Sequence, residues 1–137
     1  MPVLIGWTSN DVYKYFDSLN HLKENPYYKI ITETNATGDL VYKTEFSLQD
    51  EKFYTCMSIT AVFLRSKGTE YCVTQYLTGR TEYAQPNLAY VKDNFTFVSD
   101  NKWEKTKEGI PLKIVAAFES RISGSSHFYT MRYSVGD

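Results

Sequence analysis

Two segments of this sequence can each turn back on themselves so that apolar side chains meet, and this constrains the fold more than any other feature. The first turn is predicted at Ser66–Gly68, where glycine supplies a positive φ. A three-residue turn there places Phe63 beside Tyr71 and Met57 beside Leu77. The pairing of apolar residues favours a long antiparallel hairpin.

The second turn is predicted at Ser123–Ser126, and it places Phe118 beside Met131 and Ala116 beside Tyr133. Residues 112–122 also carry apolar residues four positions apart, which is a helical spacing. A helix would leave the apolar face of the last strand without a partner. The sequence therefore favours a strand over 112–122.

A single helix is predicted near the beginning of the chain. Thr8 or Ser9 can cap it, and apolar residues that include Val12 and Phe16 recur at helical spacing. Pro26 is expected to close it. One face of this helix is apolar, so we expect the helix to pack on a sheet.

The rest of the chain alternates between polar and apolar residues and is punctuated by turn residues, which is typical of strands. Strands are predicted over Tyr27–Thr34, Leu40–Leu48, Glu51–Arg65, Thr69–Leu77, Asn87–Val91, Phe95–Val98 and Trp103–Lys105. No repeat or linker interrupts the sequence, so residues 1–137 are predicted to be a single domain. The predicted fold is mainly β: an antiparallel up-and-down barrel or strongly curved sheet of about seven or eight strands, with one N-terminal α-helix packed on it.

The two cysteines, Cys56 and Cys72, are predicted to be free thiols. In the first hairpin they lie roughly 20 Å apart at about 3.3 Å per residue, too far for a disulfide. The N-terminal residues do not resemble a secretory signal, which favours an intracellular protein. Two glycosylation tripeptides, at Asn35 and Asn94, keep secretion as the alternative.

Composition argues against several functions. Lys and Arg number 15 against 16 Asp and Glu, so the net charge of −1 does not favour nucleic-acid binding. No apolar run is long enough to cross a bilayer, and no spacing of His, Cys and acidic residues indicates a metal, so we predict no membrane partner and no cofactor. Only His21 and His127 are available for acid–base catalysis, so an enzyme is the less favoured class.

Aromatic residues make up 16% of the chain, including 12 tyrosines, and they occupy both phases of the strand alternation. Some must therefore be exposed or line a cavity, since core packing uses one phase only. The first hypothesis is a non-enzymatic protein-interaction domain, of an accessory, assembly or inhibitor type, which binds a protein partner or a second copy through an aromatic-rich β surface. The candidate partner-binding residues are Tyr28, Tyr54, Tyr76, Trp103 and Phe128.

The second hypothesis is a carrier of a small apolar ligand with a calycin-like barrel cavity. Its candidate ligand-binding residues are Met57, Ile59, Phe63, Phe118, Met131, Tyr133 and His127. A third hypothesis is an enzyme with a pocket near His127, since Ser125 and Ser126 precede this histidine. The sequence assigns no catalytic residue.

Overall fold

Eight antiparallel strands form one sheet in the computed structural model of the chain, which describes residues 1–19, 22–34, 40–107 and 112–136. The strands are β1 (Leu22–Thr34), β2 (Leu40–Leu48), β3 (Ser58–Ser66), β4 (Thr69–Arg80), β5 (Thr96–Ser99), β6 (Lys102–Lys107), β7 (Leu112–Ser123) and β8 (Ser126–Gly136). The helices are α1 (Ser9–Asp17), α2 (Glu51–Tyr54) and α3 (Gln85–Asn94), with a 3-10 turn at Thr81–Tyr83. The prediction of a mainly β fold with an N-terminal helix is confirmed.

The strand order is β1-β2-β3-β4-β8-β7-β6-β5. From each edge of the sheet, four strands follow one another in chain order towards the centre. Each half of the sheet is a four-stranded meander that a helix precedes, α1 in the first half and α3 in the second. The halves join where β4 pairs with β8. In the described part of the chain β1 and β5 are the two edges, so the ladder of hydrogen bonds does not close into a ring.

The second predicted hairpin is confirmed in its register. Phe118 pairs with Met131 and Ala116 with Tyr133, across a turn in which Ser123 pairs with Ser126. Residues 112–122 are therefore strand. The β strand is favoured there because Met131, Tyr133 and Val135 of β8 each have an apolar partner across the ladder.

The first hairpin has a different register from the one predicted. Its turn has two residues, Lys67 and Gly68, both at positive φ (53° and 81°), which is the type I′ geometry that matches strand twist. Phe63 consequently pairs with Cys72 instead of Tyr71. The register shifts once more between Val62 and Phe63 through a bulge, so that Leu77 pairs with Ile59 instead of Met57.

Two predicted strand segments are helical, and the predicted end of the first helix is wrong. Residues 51–54 form α2, because the Asp50 side chain caps it by accepting from the Phe53 N–H at 3.0 Å. Residues 87–91 lie in α3, which has Pro86 in its first turn.

The first helix ends at Asp17, and Pro26 lies in β1, an edge strand, where a missing N–H is tolerated.

One face of the sheet, which we call the covered face, packs against the N-terminal segment and the helices. Phe16 of α1 stacks on Phe46 of β2, with ring centroids 4.0 Å apart. Phe95, which ends α3, lies 6.0 Å from the Tyr133 ring of β8. The Leu4 N–H donates to the Gln75 side chain of β4 at 2.8 Å. We call the opposite face of the sheet the open face.

The cysteine prediction is confirmed, since Cys56 and Cys72 are free and buried. Residues 35–39, which include the glycosylation tripeptide that begins at Asn35, lie outside the described part of the chain, and so does His21. Among the described residues, no helix is long and apolar enough to cross a membrane.

Candidate partner-binding surface

The open face carries a row of directly opposed residues that crosses the centre of the sheet. Tyr76 of β4 pairs with Arg132 of β8, which pairs with Ala117 of β7, which pairs with Lys102 of β6. On the other side, Tyr76 pairs with Thr60 of β3. We call this set the Tyr76 row. Opposed residues on neighbouring strands have Cβ atoms about 5 Å apart, so these side chains form one continuous surface.

Ala117 leaves a gap in this row because its side chain is short and its neighbours on both sides are long. The result is a groove of about 310 Å³ with Tyr76 at one end and Lys102 at the other. The β5–β6 turn borders the groove, and the Phe118 N–H holds this turn by donating to the Asn101 carbonyl at 2.9 Å. Four strands and one turn thus build the groove from residues far apart in sequence.

The groove contains charges of both signs. Arg132 and Lys102 are exposed and lie on either side of Ala117, and the carboxylates of Asp100 and Glu119 also line the groove. None of these four side chains forms an ion pair within the described residues. The nearby pair of Lys113 and Glu104 does form one, at 3.2 Å. The charges in the groove are therefore available to an external partner.

The five predicted partner-binding residues fall in different places. Tyr76 and Phe128 lie on the open face, where the Arg121 guanidinium is 5.8 Å from the centre of the Phe128 ring. The backbone of Tyr28 pairs with Glu45 and continues the Tyr76 row, while its side chain lies outside the described part. Tyr54 belongs to the short helix α2 and lies near α1 and α3. Trp103 is only 6% exposed and faces the helices, so it does not suit a contact with a partner.

The residues predicted for an apolar ligand pack mostly inside the core. Ile59, Phe63, Met131 and Tyr133 are buried on the covered face, and Met57 and Phe118 are half-buried. Burial raises the pKa of Tyr133 well above its ordinary value. The depression beside these residues, lined by Val3, Ile5, Tyr90, Phe95, Lys105 and Ile114, measures about 130 Å³. This volume is below the roughly 300 Å³ at which small-molecule pockets begin, and the carrier hypothesis stays a prediction.

His127 lies at the beginning of β8 and is exposed. It lines a depression of about 290 Å³ together with Ser125, Ser126, Arg80 and Glu82. Among the described residues its ring forms no hydrogen bond or ion pair, so neither serine is coupled to a base there. The described part of the chain also contains no group of three His, Cys, Asp or Glu residues able to hold a metal ion. The enzyme hypothesis therefore gains no catalytic constellation and stays a prediction.

The sequence analysis assigned no role to Arg132 or Lys102. Arg132 is a single basic residue in a strand pattern. Lys102 belongs to a basic segment near Trp103 whose interleaved acidic residues predict an exposed, solvated loop. Only the pairing of β6, β7 and β8 shows that both flank the same alanine. Comparison of the chain with protein families, with curated proteins and with solved structures finds no match in any of the three.

Proposed function

We propose that the chain is a protein-interaction domain that binds a protein partner through the groove of the Tyr76 row. The observation that carries this proposal is the pair of cations, Arg132 and Lys102, on either side of Ala117, with Tyr76 next to Arg132. Tyrosine and arginine are the residue types that most often dominate binding free energy at interfaces, since they combine large contact area with directed hydrogen bonds.

The charges indicate the chemistry of the partner. The backbones of Arg132 and Lys102 are two strand spacings, roughly 10 Å, apart, so both side chains can reach one carboxylate above Ala117. Asp100 and Glu119 line the same groove and would repel a polyanion. A segment with an acidic side chain over Ala117 and an apolar group against Tyr76 matches these charges, whereas nucleic acid does not.

Site-specific cross-linking tests the proposal. A photoreactive phenylalanine derivative replaces Tyr76, and the same derivative replaces Tyr71 in a control; Tyr71 is 46% exposed but lies outside the groove. We expect irradiation of cells that produce the chain to yield a cross-linked protein at position 76 and not at position 71. The affinity of the purified partner is then measured by calorimetry.

Charge reversal supplies the second measurement. Arg132→Glu should weaken binding of the cross-linked partner by at least about tenfold, because it removes a charge-assisted contact and adds a repulsive one. Arg121→Glu is the matched control, since Arg121 is also exposed on the open face but does not line the groove. Equal losses in both variants, or a cross-link from position 76 only to a second copy of the chain, would contradict the proposal.

A further inference from the structure

The hairpin of β7 and β8 extends past the neighbouring strand β6. β6 pairs with β7 as far as Ala117, which lies opposite Lys102, and the Phe118 N–H then donates to the Asn101 carbonyl at 2.9 Å. Beyond this point, residues 119–123 of β7 pair with β8 alone among the described residues. All of them are exposed, and Ile122 is 70% exposed. We call residues 119–123 the β7 overhang.

The β7 overhang presents backbone hydrogen-bonding groups at the margin of the sheet. Successive residues of an antiparallel strand direct their N–H and C=O groups alternately to the two sides of the strand. The Phe118 N–H points towards β6. The N–H and C=O groups of Ser120 and Ile122 therefore point to the same side, where β6 is missing. The side chains of Glu119 and Arg121 continue the open face, and those of Ser120 and Ile122 lie on the opposite face.

The other edges of the sheet carry features that hinder strand addition. β1 contains Pro26 and two register irregularities, and β5 has only four residues and one irregularity. β4 extends past β8 near its first residues, and there the chain itself covers the strand. The Gly6 N–H donates to the Cys72 carbonyl at 2.9 Å, and the Cys72 N–H donates to the Trp7 carbonyl at 2.8 Å.

The β7 overhang has no proline and no register irregularity, and no segment in the described part of the chain pairs with its outer side. Uncovered and regular backbone of this kind is a template for an added strand. The comparison with β4 shows that this sheet accepts such an added segment elsewhere, through the same kind of backbone hydrogen bond.

A second copy of the chain is a poor occupant of the β7 overhang. Two overhangs can pair antiparallel about a two-fold axis, and the register that uses all of residues 119–123 places Ser120 opposite Ile122. Arg121 then lies opposite Arg121 of the second copy, in a pair without backbone hydrogen bonds, where the Cα atoms are only about 4.5 Å apart. Like charges placed directly opposite are destabilising, whereas an acidic side chain in the same position would be attracted to Arg121.

We propose that the β7 overhang binds an extended segment of another protein, which adds as an antiparallel strand and carries an acidic side chain opposite Arg121. Apolar side chains opposite Ser120 and Ile122 and a basic side chain opposite Glu119 complete the match. Backbone hydrogen bonds supply affinity in this mode of recognition, and the alternating side chains supply specificity. Ser120, Arg121 and Ile122 do not line the groove of the Tyr76 row, so either proposal can fail without the other.

Two capped peptides of identical composition test the charge match. The sequence threonine-valine-glutamate-valine-lysine places glutamate opposite Arg121 and lysine opposite Glu119, and the swapped sequence threonine-valine-lysine-valine-glutamate exchanges these charges. Binding is followed by NMR titration through the amide signals of Ser120 and Ile122. The first peptide should bind at least about fourfold more tightly, because the swap turns two attractive cross-strand pairs into repulsive ones.

Methylation of the peptide backbone tests the strand geometry. Both valines of the first peptide lie opposite residues whose backbone groups face outwards, so their N–H groups point to the β7 overhang. N-methylation of either valine should reduce affinity at least about tenfold, since it removes a hydrogen bond and adds a methyl group between the strands. N-methylation of the glutamate is the matched control. Its N–H points away from the overhang, so this methyl group should have little effect.

Charge variants of the chain locate the site. Arg121→Glu should abolish the preference for the first peptide, and the double variant Arg121→Glu with Glu119→Lys should invert it. Lys92→Glu is the control for net charge, because Lys92 is exposed on α3 and lies outside the sheet. This variant should keep the preference.

The proposal is overturned if the two peptides bind equally, or if neither shifts the Ser120 and Ile122 signals at millimolar concentration. Equal effects of the methyl groups on valine and on glutamate would also exclude an added strand. Protection of the Ser120 and Ile122 amides from hydrogen exchange in a concentrated solution of the chain alone would assign the overhang to a second copy instead.

Discussion

The buried thiols of Cys56 and Cys72 should make the fold sensitive to alkaline solution. Burial raises the pKa of each thiol from 9.0 to about 12 in the folded chain. The unfolded chain exposes both thiols, and there they ionise near their ordinary pKa. Above about pH 9 the unfolded state therefore loses protons that the folded state retains, and the free energy of unfolding falls as pH rises.

The magnitude follows from the difference between the two pKa values. The contribution of each buried thiol to the free energy of unfolding is fully present below about pH 9, and it is lost progressively as pH rises towards about 12. At about pH 10.5 the loss is about 2 kcal/mol for each thiol, or about 4 kcal/mol for both. Burial also raises the pKa of Tyr129 and Tyr133, so both tyrosines add to the loss above about pH 10.

Urea unfolding at about pH 7.5 and about pH 10.5, in the presence of a reductant, measures this loss. The matched variant is Cys56→Ala with Cys72→Ala, which removes both thiols and keeps the tyrosines. The variant should lose about 4 kcal/mol less than the wild-type chain between the two pH values, whatever its stability at the lower pH. Equal losses would refute the reasoning, since they would mean that neither thiol retains its proton in the folded state.

Two substitutions test the backbone of the fold. Lys67→Asn should stabilise the chain by about 0.5–1 kcal/mol, because asparagine adopts a positive φ more readily than lysine in a type I′ turn. Lys67→Ala, which keeps the unfavourable left-handed position, should not raise the melting temperature, and a rise equal to that of the asparagine variant would contradict this explanation. Gly79→Ala should destabilise by about 1–3 kcal/mol, because the added Cβ would lie 2.9 Å from the Cα of Cys56, which is backbone and cannot rotate away. Chemical denaturation measures this loss, and a change below about 0.5 kcal/mol would show that the two segments are not packed this closely.

The local sequence pattern was sufficient to predict strand pairing where both strands of a hairpin carry alternating apolar residues. The pairing of Phe118 with Met131 was predicted from such a pattern, and so was the cap of α1, where Thr8 accepts from the Asp11 N–H at 3.2 Å. Pattern failed in the first hairpin because the side-chain period is two residues, so a turn one residue shorter than predicted moves Tyr71 away from Phe63. The bulge near Val62 then shifts the register again, and nothing in the local sequence marks it.

The helices α2 and α3 were predicted as strands because short apolar runs fit both periodicities. Leu88, Val91 and Phe95 have a helical spacing, but so few residues do not exclude a strand. Tertiary contacts favour the helix, since Asn87 of α3 donates to the Tyr129 hydroxyl of β8 and to the Thr55 hydroxyl.

The sequence by itself determined the β class, the N-terminal helix, the unpaired cysteines and the second hairpin, because each of these depends on residues that are near one another along the chain or on a simple period. It also indicated that some aromatic rings must lie outside the core. Only the tertiary structure decided which ones, and it assembled the groove of the Tyr76 row from distant segments. Tyr76, Arg132 and Lys102 become neighbours because β4, β8, β7 and β6 are adjacent in the sheet, an order set by long-range pairing that no local pattern encodes.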